Sequence, residues 1–141
     1  MSADSPHLYL TGYRGTGKST VAKLLGNALS LPVWDSDREI ETRSNSTIKA
    51  IFERHGEAAF RDLEEAVVRD LSSGETAIIA LGGGAILRES TRKTILKTGL
   101  CVWLIASPRT LLKRIRSDAG SCDTRPALTP SSRTCVKSRP C

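Results

Sequence analysis

The chain has 141 residues, which suffices for one domain with a buried core and leaves little room for two. Its formal net charge is +6 and only 4% of its residues are aromatic, a balance that favours small polyanionic ligands over nucleic acid. No apolar run approaches the roughly 18 residues of a membrane span, and the first residues lack the pattern of a secretory signal. These features predict a cytoplasmic protein without a membrane or nucleic-acid partner.

The first predicted element is a strand at 8–10, which leads into Gly-Tyr-Arg-Gly-Thr-Gly-Lys-Ser-Thr at 12–20. This segment fits the phosphate-loop pattern G-x-x-x-x-G-K-[ST], and apolar residues recur after it at helical spacing. We expect the loop N–H groups to bind phosphate beside a helix N-terminus, Lys18 to reach the β- and γ-phosphates, and Ser19 to bind Mg²⁺. The alternative is a chance glycine-rich turn before an ordinary helix.

A second apolar run at 31–34 leads into Asp35-Ser36-Asp37. In open α/β sheets the ligand crevice lies outside the carboxyl ends of the strands, so this acidic pair is predicted beside the phosphate loop. The structural alternative is that Asp37 caps a helix beginning at Arg38.

Residues 47–73 have a helical pattern that is broken once, at His55-Gly56. One stripe of apolar residues predicts the buried face, which leaves Arg61, Glu64 and Glu65 on its flanks. Taken alone, Arg61 is typical of a solvated or ion-paired surface residue. The predicted stripe consists of Phe60, Leu63, Val67 and Leu71, with Phe52 as a further core residue.

The run at 77–81 is continuously apolar, as expected for a parallel strand covered on both faces, and it continues into Gly82-Gly83-Gly84. Three glycines at a strand end suggest a backbone that lies against a ligand. A helix is predicted at 89–97, a strand at 100–105, and a helix that Ser107 caps, with Leu111, Leu112 and Ile115 inward. The alternation of strands and helices predicts a parallel sheet with helices on both faces.

The predicted strand ends favour phosphoryl transfer over hydrolysis. A hydrolytic nucleotidase of this class normally carries an acidic residue at the end of an apolar strand, but the third and fourth runs end in glycines and in Ala106-Ser107. The carboxylates left for a metal and a nucleophile are Asp35 and Asp37. The four cysteines form no close C-x-x-C pair, so free thiols are favoured over zinc binding.

Taken together, these motifs resemble those of shikimate kinases in order and approximate spacing, over residues 7 to about 128. The resemblance rests on the phosphate loop at 12–20, Asp35-Ser36-Asp37, Phe60-Arg61 with Glu64, Gly82-Gly83-Gly84 and Arg125-Pro126. It implies a three-layer α/β P-loop kinase that uses MgATP to phosphorylate the 3-hydroxyl of shikimate. A kinase for another hydroxy acid, such as gluconate, and a nucleotide-binding module without catalysis are the alternatives.

The resemblance also implies roles for individual residues. Asp37 would hold the substrate hydroxyls and act as general base. Arg61 would bind the shikimate carboxylate, and Arg125 would close over the phosphates as a lid arginine. The phosphates would be held by Gly15, Thr16, Gly17, Lys18, Ser19 and Thr20, Mg²⁺ by Ser19 with Asp35 nearby through water, and shikimate also by the backbone of Gly82, Gly83 and Gly84.

The pattern changes near residue 120. Residues 1–119 are predicted as the kinase core, and 120–141 as a partial lid followed by an irregular tail without sustained apolar periodicity. Shikimate kinases continue past the lid with a helix that carries another substrate-binding arginine and with a fifth strand, and neither can be matched here. The expectation is therefore a chain truncated or altered in frame soon after Leu128, lacking the fifth strand, and a monomer.

Overall fold

The computed structural model describes residues 6–118 and 135–138. Strands and helices alternate along the chain, as the apolar runs predicted. The strands are β1 (His7–Gly12), β2 (Val33–Asp35), β3 (Ile78–Ala80), β4 (Gly99–Ile105) and β5 (Cys135–Ser138). The helices are α1 (Lys18–Leu29), α2 (Ser36–Ser44), α3 (Ile48–Ser72), α4 (Glu89–Thr98) and α5 (Pro108–Asp118), with a short 3-10 helix at Ala85–Leu87.

The strands form one sheet in the order β2-β3-β1-β4-β5, and the first four are parallel. The phosphate-loop strand β1 lies at the centre, where Leu10 pairs with Ala80 on one side and Val102 on the other. This confirms the predicted parallel sheet of four strands.

The strand β5 differs from the irregular tail predicted for 120–141. It pairs antiparallel with β4, so that Cys135 lies opposite Ile105. The four residues Cys-Val-Lys-Ser have no alternation of polar and apolar side chains, so periodicity alone does not distinguish them from a loop. The described sheet therefore has a fifth strand, where the sequence pattern predicted none.

Alternate residues of the central strands fill two cores, because successive side chains of a strand point to opposite faces. Tyr9 and Ile79 face the core that contains Val68 of α3 and Ile95 of α4. Leu10, Ile78 and Ala80 face a smaller core with Ala22 of α1. Helices therefore cover both faces, and the three-layer α/β architecture predicted from the sequence is confirmed. Within the described ranges, no helix is both long and apolar enough to cross a membrane.

Helix α3 is interrupted at Gly56, whose φ of 81° and ψ of 175° lie outside the helical region, as the His55-Gly56 break predicted. Its buried face differs from the predicted stripe. Leu63 is 39% exposed, whereas Glu64, placed on the flank, is only 2% exposed. Phe52, predicted as core, is 36% exposed and stacks on Phe60 with ring centroids 4.6 Å apart.

The predicted start of α5 is correct, since Ser107 Oγ accepts a hydrogen bond from the Thr110 N–H at 3.2 Å. The prediction that Leu112 points inward is wrong, because its side chain is exposed. Ile115 and Leu111 of the same helix instead approach Gly15 of the phosphate loop. Helix α5 thus packs one side against the loop that follows β1.

Candidate active site at the carboxyl edge of the sheet

The segment between β1 and α1 has the geometry of a phosphate loop. Gly15 and Gly17 have φ of 84° and 89°, a left-handed region that favours glycine. The Tyr13 carbonyl oxygen accepts hydrogen bonds from Thr16, from the backbone N–H at 3.2 Å and from the hydroxyl at 2.8 Å. These contacts fix the turn that leads the chain into the N-terminus of α1.

The Lys18 ammonium folds back over this turn. Its Nζ donates to the carbonyl oxygens of Gly12 at 2.7 Å and Tyr13 at 3.2 Å. Burial lowers the pKa of Lys18, and the negative charges of Asp37 and Asp35 act in the opposite direction. A cation held by neutral carbonyls in a partly buried site gains from an added anion, which agrees with phosphate binding.

Asp35, the last residue of β2, connects the loop to α2. Its Oδ2 accepts the Ser19 hydroxyl at 3.1 Å, and its Oδ1 accepts the backbone N–H groups of Asp37 and Arg38 at 3.0 and 3.3 Å. The N-cap of α2 is therefore Asp35, and the structural alternative in which Asp37 caps a helix from Arg38 is wrong. Because Asp35 takes the cap, the Asp37 carboxylate remains available to the site.

Asp37 lies among other acids. Burial raises its pKa to about 6, the Asp35 and Glu64 carboxylates add to the rise, and Lys18 opposes it. A carboxylate with a pKa near neutrality accepts a proton more readily than an ordinary aspartate, which is the property of a general base.

Arg61 and Glu64 form a partly buried ion pair on α3. Arg61 Nη1 donates to Glu64 Oε2 at 2.6 Å, and the guanidinium carbon lies 5.2 Å from the centre of the Phe60 ring. Burial raises the pKa of Glu64, and the hydrogen bond from Arg61 opposes that rise. Arg61 Nε and Glu64 Oε1 are buried without a hydrogen-bond partner among the described residues. The pair therefore keeps donor and acceptor capacity for another group.

Two of the three glycines after β3, Gly82 and Gly84, make room for these side chains. A methyl group at Gly82 would lie 2.6 Å from Asp37 Oδ1 and 2.9 Å from Glu64 Oε1, and one at Gly84 would overlap the Arg61 guanidinium. The Gly82 N–H also donates to Ser36 Oγ at 3.0 Å, which ties the glycine segment to the start of α2. The glycines therefore allow Asp37, Glu64 and Arg61 to converge at the strand end.

The phosphate loop and the acidic pair line one cavity of about 250 Å³. Asp37 lies between this cavity and Gly82, so it joins the phosphate side to the Arg61–Glu64 side. No cluster of three potential His, Cys, Asp or Glu metal ligands occurs in the described part of the chain. The lining residues are Arg14, Gly15, Gly17, Lys18, Ser19, Thr20, Asp35, Asp37, Ala80 and Leu81.

The structure thus brings together most of the residues predicted for the site, whereas Arg125 lies outside the described residues. Sequence reasoning missed two neighbours. Glu64 was assigned to a helix flank, although its i,i+3 spacing from Arg61 was a usable signal for an ion pair. Arg114 of α5 was not predicted for the site, but its Nη1 donates to the Gly15 carbonyl oxygen at 3.0 Å.

Comparison with known proteins agrees with this geometry. A family model described as shikimate kinase matches residues 14–139. A shikimate kinase of Rhodopirellula baltica is 52% identical over 126 residues, which cover 89% of this chain and 67% of that protein. A shikimate kinase of Burkholderia pseudomallei is 43% identical over 120 residues, which cover 84% of this chain and 65% of the relative.

Solved structures give the same result. A shikimate kinase from Acinetobacter baumannii in complex with shikimate superposes with a TM-score of 0.78 at 37% identity, covering 82% of this chain and 64% of the other. A gluconokinase from Sinorhizobium meliloti has a TM-score of 0.53 at 18% identity and shares the fold alone. The chain spans about two thirds of the length of these relatives. It belongs to the shikimate kinase family.

Proposed function

We propose that this chain transfers the γ-phosphoryl group of ATP to the 3-hydroxyl of shikimate. The observation that carries the proposal is the position of Asp37, which lines the phosphate-loop cavity and also lies against Gly82 beside Glu64. A phosphoryl donor in the loop and an acceptor held near Arg61 would meet at this carboxylate. The shikimate bound to the related enzyme supports the choice of acceptor.

The phosphate side supplies charge neutralisation, which phosphoryl transfer needs more than covalent help. The N–H groups of residues 15–20 and the Lys18 ammonium would hold the ATP phosphates. Ser19 Oγ and Asp35 Oδ2 lie 3.1 Å apart, and such oxygen donors fit Mg²⁺. Ser19 would hold the ion directly and Asp35 through water. When bound, Mg²⁺ would neutralise charge on the phosphate oxygens.

The acceptor side supplies orientation and a base. Asp37 would accept the proton of the attacking hydroxyl, a role that its raised pKa supports. Arg61 would grip the shikimate carboxylate, and its geometry suits a bidentate contact. The backbone of Gly82, Gly83 and Gly84 would lie against the substrate ring, and Arg125 would close over the phosphates.

Two alternatives are less well supported. The likeness to a gluconokinase extends to the fold only, so it does not support gluconate as the substrate. Nucleotide binding without catalysis does not require a carboxylate with a raised pKa such as Asp37, nor the Arg61–Glu64 pair near it. The monomeric state and the cytoplasmic location predicted from the sequence stay predictions.

A coupled assay of ADP release with shikimate, gluconate and quinate tests the proposal. Turnover should require shikimate and should fall by about 100-fold or more in Asp37→Asn, which removes the base. ATP affinity of that variant should change little. Turnover with gluconate but not shikimate would select the first alternative, and ATP binding without any acceptor-dependent turnover would select the second.

A further inference from the structure

Arg14 is an exposed cation of the phosphate loop to which neither the sequence motif nor the residue roles above assign a task. It lines the cavity that contains Lys18, Asp35 and Asp37. It forms no hydrogen bond or ion pair with any other residue in the ranges 6–118 and 135–138. An arginine that faces a cavity without a protein partner is free to bind an anion that enters it.

The local backbone fixes where this side chain begins. The Tyr13 carbonyl oxygen, one residue earlier, accepts from Thr16 N–H, Thr16 Oγ1 and Lys18 Nζ. Arg14 therefore starts at the corner of a tightly held turn, one peptide unit from the contact that the Lys18 ammonium makes.

The same contact indicates which phosphate Arg14 would meet. The lysine of a phosphate loop reaches the β- and γ-phosphates, whereas the backbone N–H groups of the glycine-rich loop cradle the α- and β-phosphates. Arg14 precedes the cradle, follows the Tyr13 carbonyl that the Lys18 ammonium contacts, and lines the same cavity as Lys18 and Asp37. An anion in this cavity would be attracted by both cations, Lys18 and Arg14.

We infer that Arg14 contacts the terminal phosphoryl group of the bound nucleotide and so acts as a phosphate-binding arginine within the loop itself. This deepens the proposed function, on which it rests, because it adds a residue to the same phosphate site. A planar guanidinium can donate two parallel hydrogen bonds to phosphate oxygens, and such charge-assisted contacts are among the stronger ones in proteins.

Nucleotide affinities measured with Mg²⁺ present test the inference without requiring turnover. Arg14→Met should weaken binding of the non-hydrolysable ATP analogue AMP-PNP by about tenfold, because a charge-assisted contact is lost, and should weaken ADP by less than about twofold. Arg14→Lys keeps the charge but cannot donate two parallel hydrogen bonds, so it should recover part of the AMP-PNP affinity.

Arg69→Met is the matched control. Arg69 is an exposed arginine of α3, within one turn of Ser72. The Ser72 carbonyl oxygen contacts His7, which begins β1, so Arg69 lies at the opposite end of that strand from the phosphate loop. Its replacement should leave the affinities for AMP-PNP and ADP unchanged. If Arg14→Met leaves the ratio of AMP-PNP to ADP affinity at the wild-type value, the inference is wrong. Lack of shikimate-dependent turnover in the wild type would instead contradict the proposed function, and it would leave this comparison valid.

Discussion

Arg61 donates to Glu64 at 2.6 Å across one turn of α3, and the free Glu64 Oε1 lies on the side that faces Gly82. The Glu64 carboxylate lies beside Asp37 at Gly82, and the Arg61 guanidinium lies beside Gly84. The pair links the orientation of Arg61 to the proton affinity of Asp37, because the Glu64 carboxylate contributes to the raised pKa of that residue. A change in the charge of Glu64 should therefore affect both its pairing with Arg61 and the pKa of Asp37.

The first prediction concerns the pH dependence of catalysis. Asp37 must be ionised to accept a proton, and its pKa in the ligand-free protein is raised to about 6. The value of kcat/KM for shikimate should therefore fall about tenfold per pH unit below that pH and level off above it. Initial rates at limiting shikimate from pH 4.5 to 8.5 would measure this, and a flat profile down to pH 5 would contradict the role of Asp37.

The second prediction concerns Glu64→Gln, which keeps the side-chain size and removes the charge. The pKa of Asp37 should fall, so the midpoint of the kcat/KM profile should move to lower pH. The KM for shikimate should rise about fivefold, because Arg61 loses its ionised partner. Glu65→Gln is the matched control, since Glu65 pairs with Arg88 and Arg69 and has no part in the raised pKa of Asp37. An unmoved midpoint in Glu64→Gln would refute the electrostatic link.

The third prediction concerns Gly84→Ala. The added methyl group would overlap the Arg61 guanidinium, which must then swing away from its present position. Shikimate affinity should fall about tenfold or more while ADP affinity stays within about twofold, since the phosphate loop is untouched. Calorimetric titration would measure both. Gly74→Ala is the control, because a methyl group there meets only the Leu71 carbonyl oxygen at an ordinary 3.5 Å. An equal loss of shikimate affinity in Gly84→Ala and Gly74→Ala would contradict the prediction.

The fourth prediction concerns stability. The pKa of Asp37 is raised from 3.8 to about 6, so the folded state binds this proton more tightly than the unfolded state. The stability contributed by the protonated form is fully present below pH 4 and is lost as pH rises through 6. Asp37→Asn has no carboxyl group to titrate and so lacks that loss. Between pH 4 and pH 8 its free energy of unfolding should rise, relative to that of the wild type, by about 1 to 2 kcal/mol, a figure reduced for partial solvent screening.

Urea unfolding of the wild type and Asp37→Asn across that range gives the measurement. Asp62→Asn, at an exposed carboxylate that pairs with Arg88, is the control and should show a much smaller change with pH. If the difference between wild type and Asp37→Asn does not depend on pH, the Asp37 carboxyl titrates alike in the folded and unfolded chains, which contradicts its raised pKa.

The sequence predicted the parallel sheet because strands buried on both faces are continuously apolar, as Ile78 and Ile79 are. It also predicted the phosphate loop, whose glycine positions follow from local backbone geometry. It did not predict the burial of Glu64 in place of Leu63, because a charged residue is buried only when partners from other elements meet it. Arg61 lies three residues earlier on the same helix, but the strand end at Gly82 and the Asp37 side chain become neighbours of Glu64 only in the folded chain.

Local ambiguity explains the other differences. Asp35 and Asp37 are two residues apart and either could cap α2, so the choice depends on where β2 ends. Phe52 precedes the break at Gly56, so helical spacing does not relate its position to the stripe that begins at Phe60. The three glycines were interpreted as backbone that lies against a ligand, and the structure adds that Gly82 leaves space for Asp37 and Gly84 for Arg61.

The most direct test of the proposed reaction is phosphorus NMR of this chain incubated with MgATP and shikimate. The γ-phosphate signal of ATP should decline while a phosphomonoester signal, coupled to the proton at carbon 3 of shikimate, grows in equal amount. Asp37→Asn should nearly abolish that product. A γ-phosphate signal replaced by inorganic phosphate, or a phosphomonoester that forms with gluconate but not with shikimate, would contradict the account.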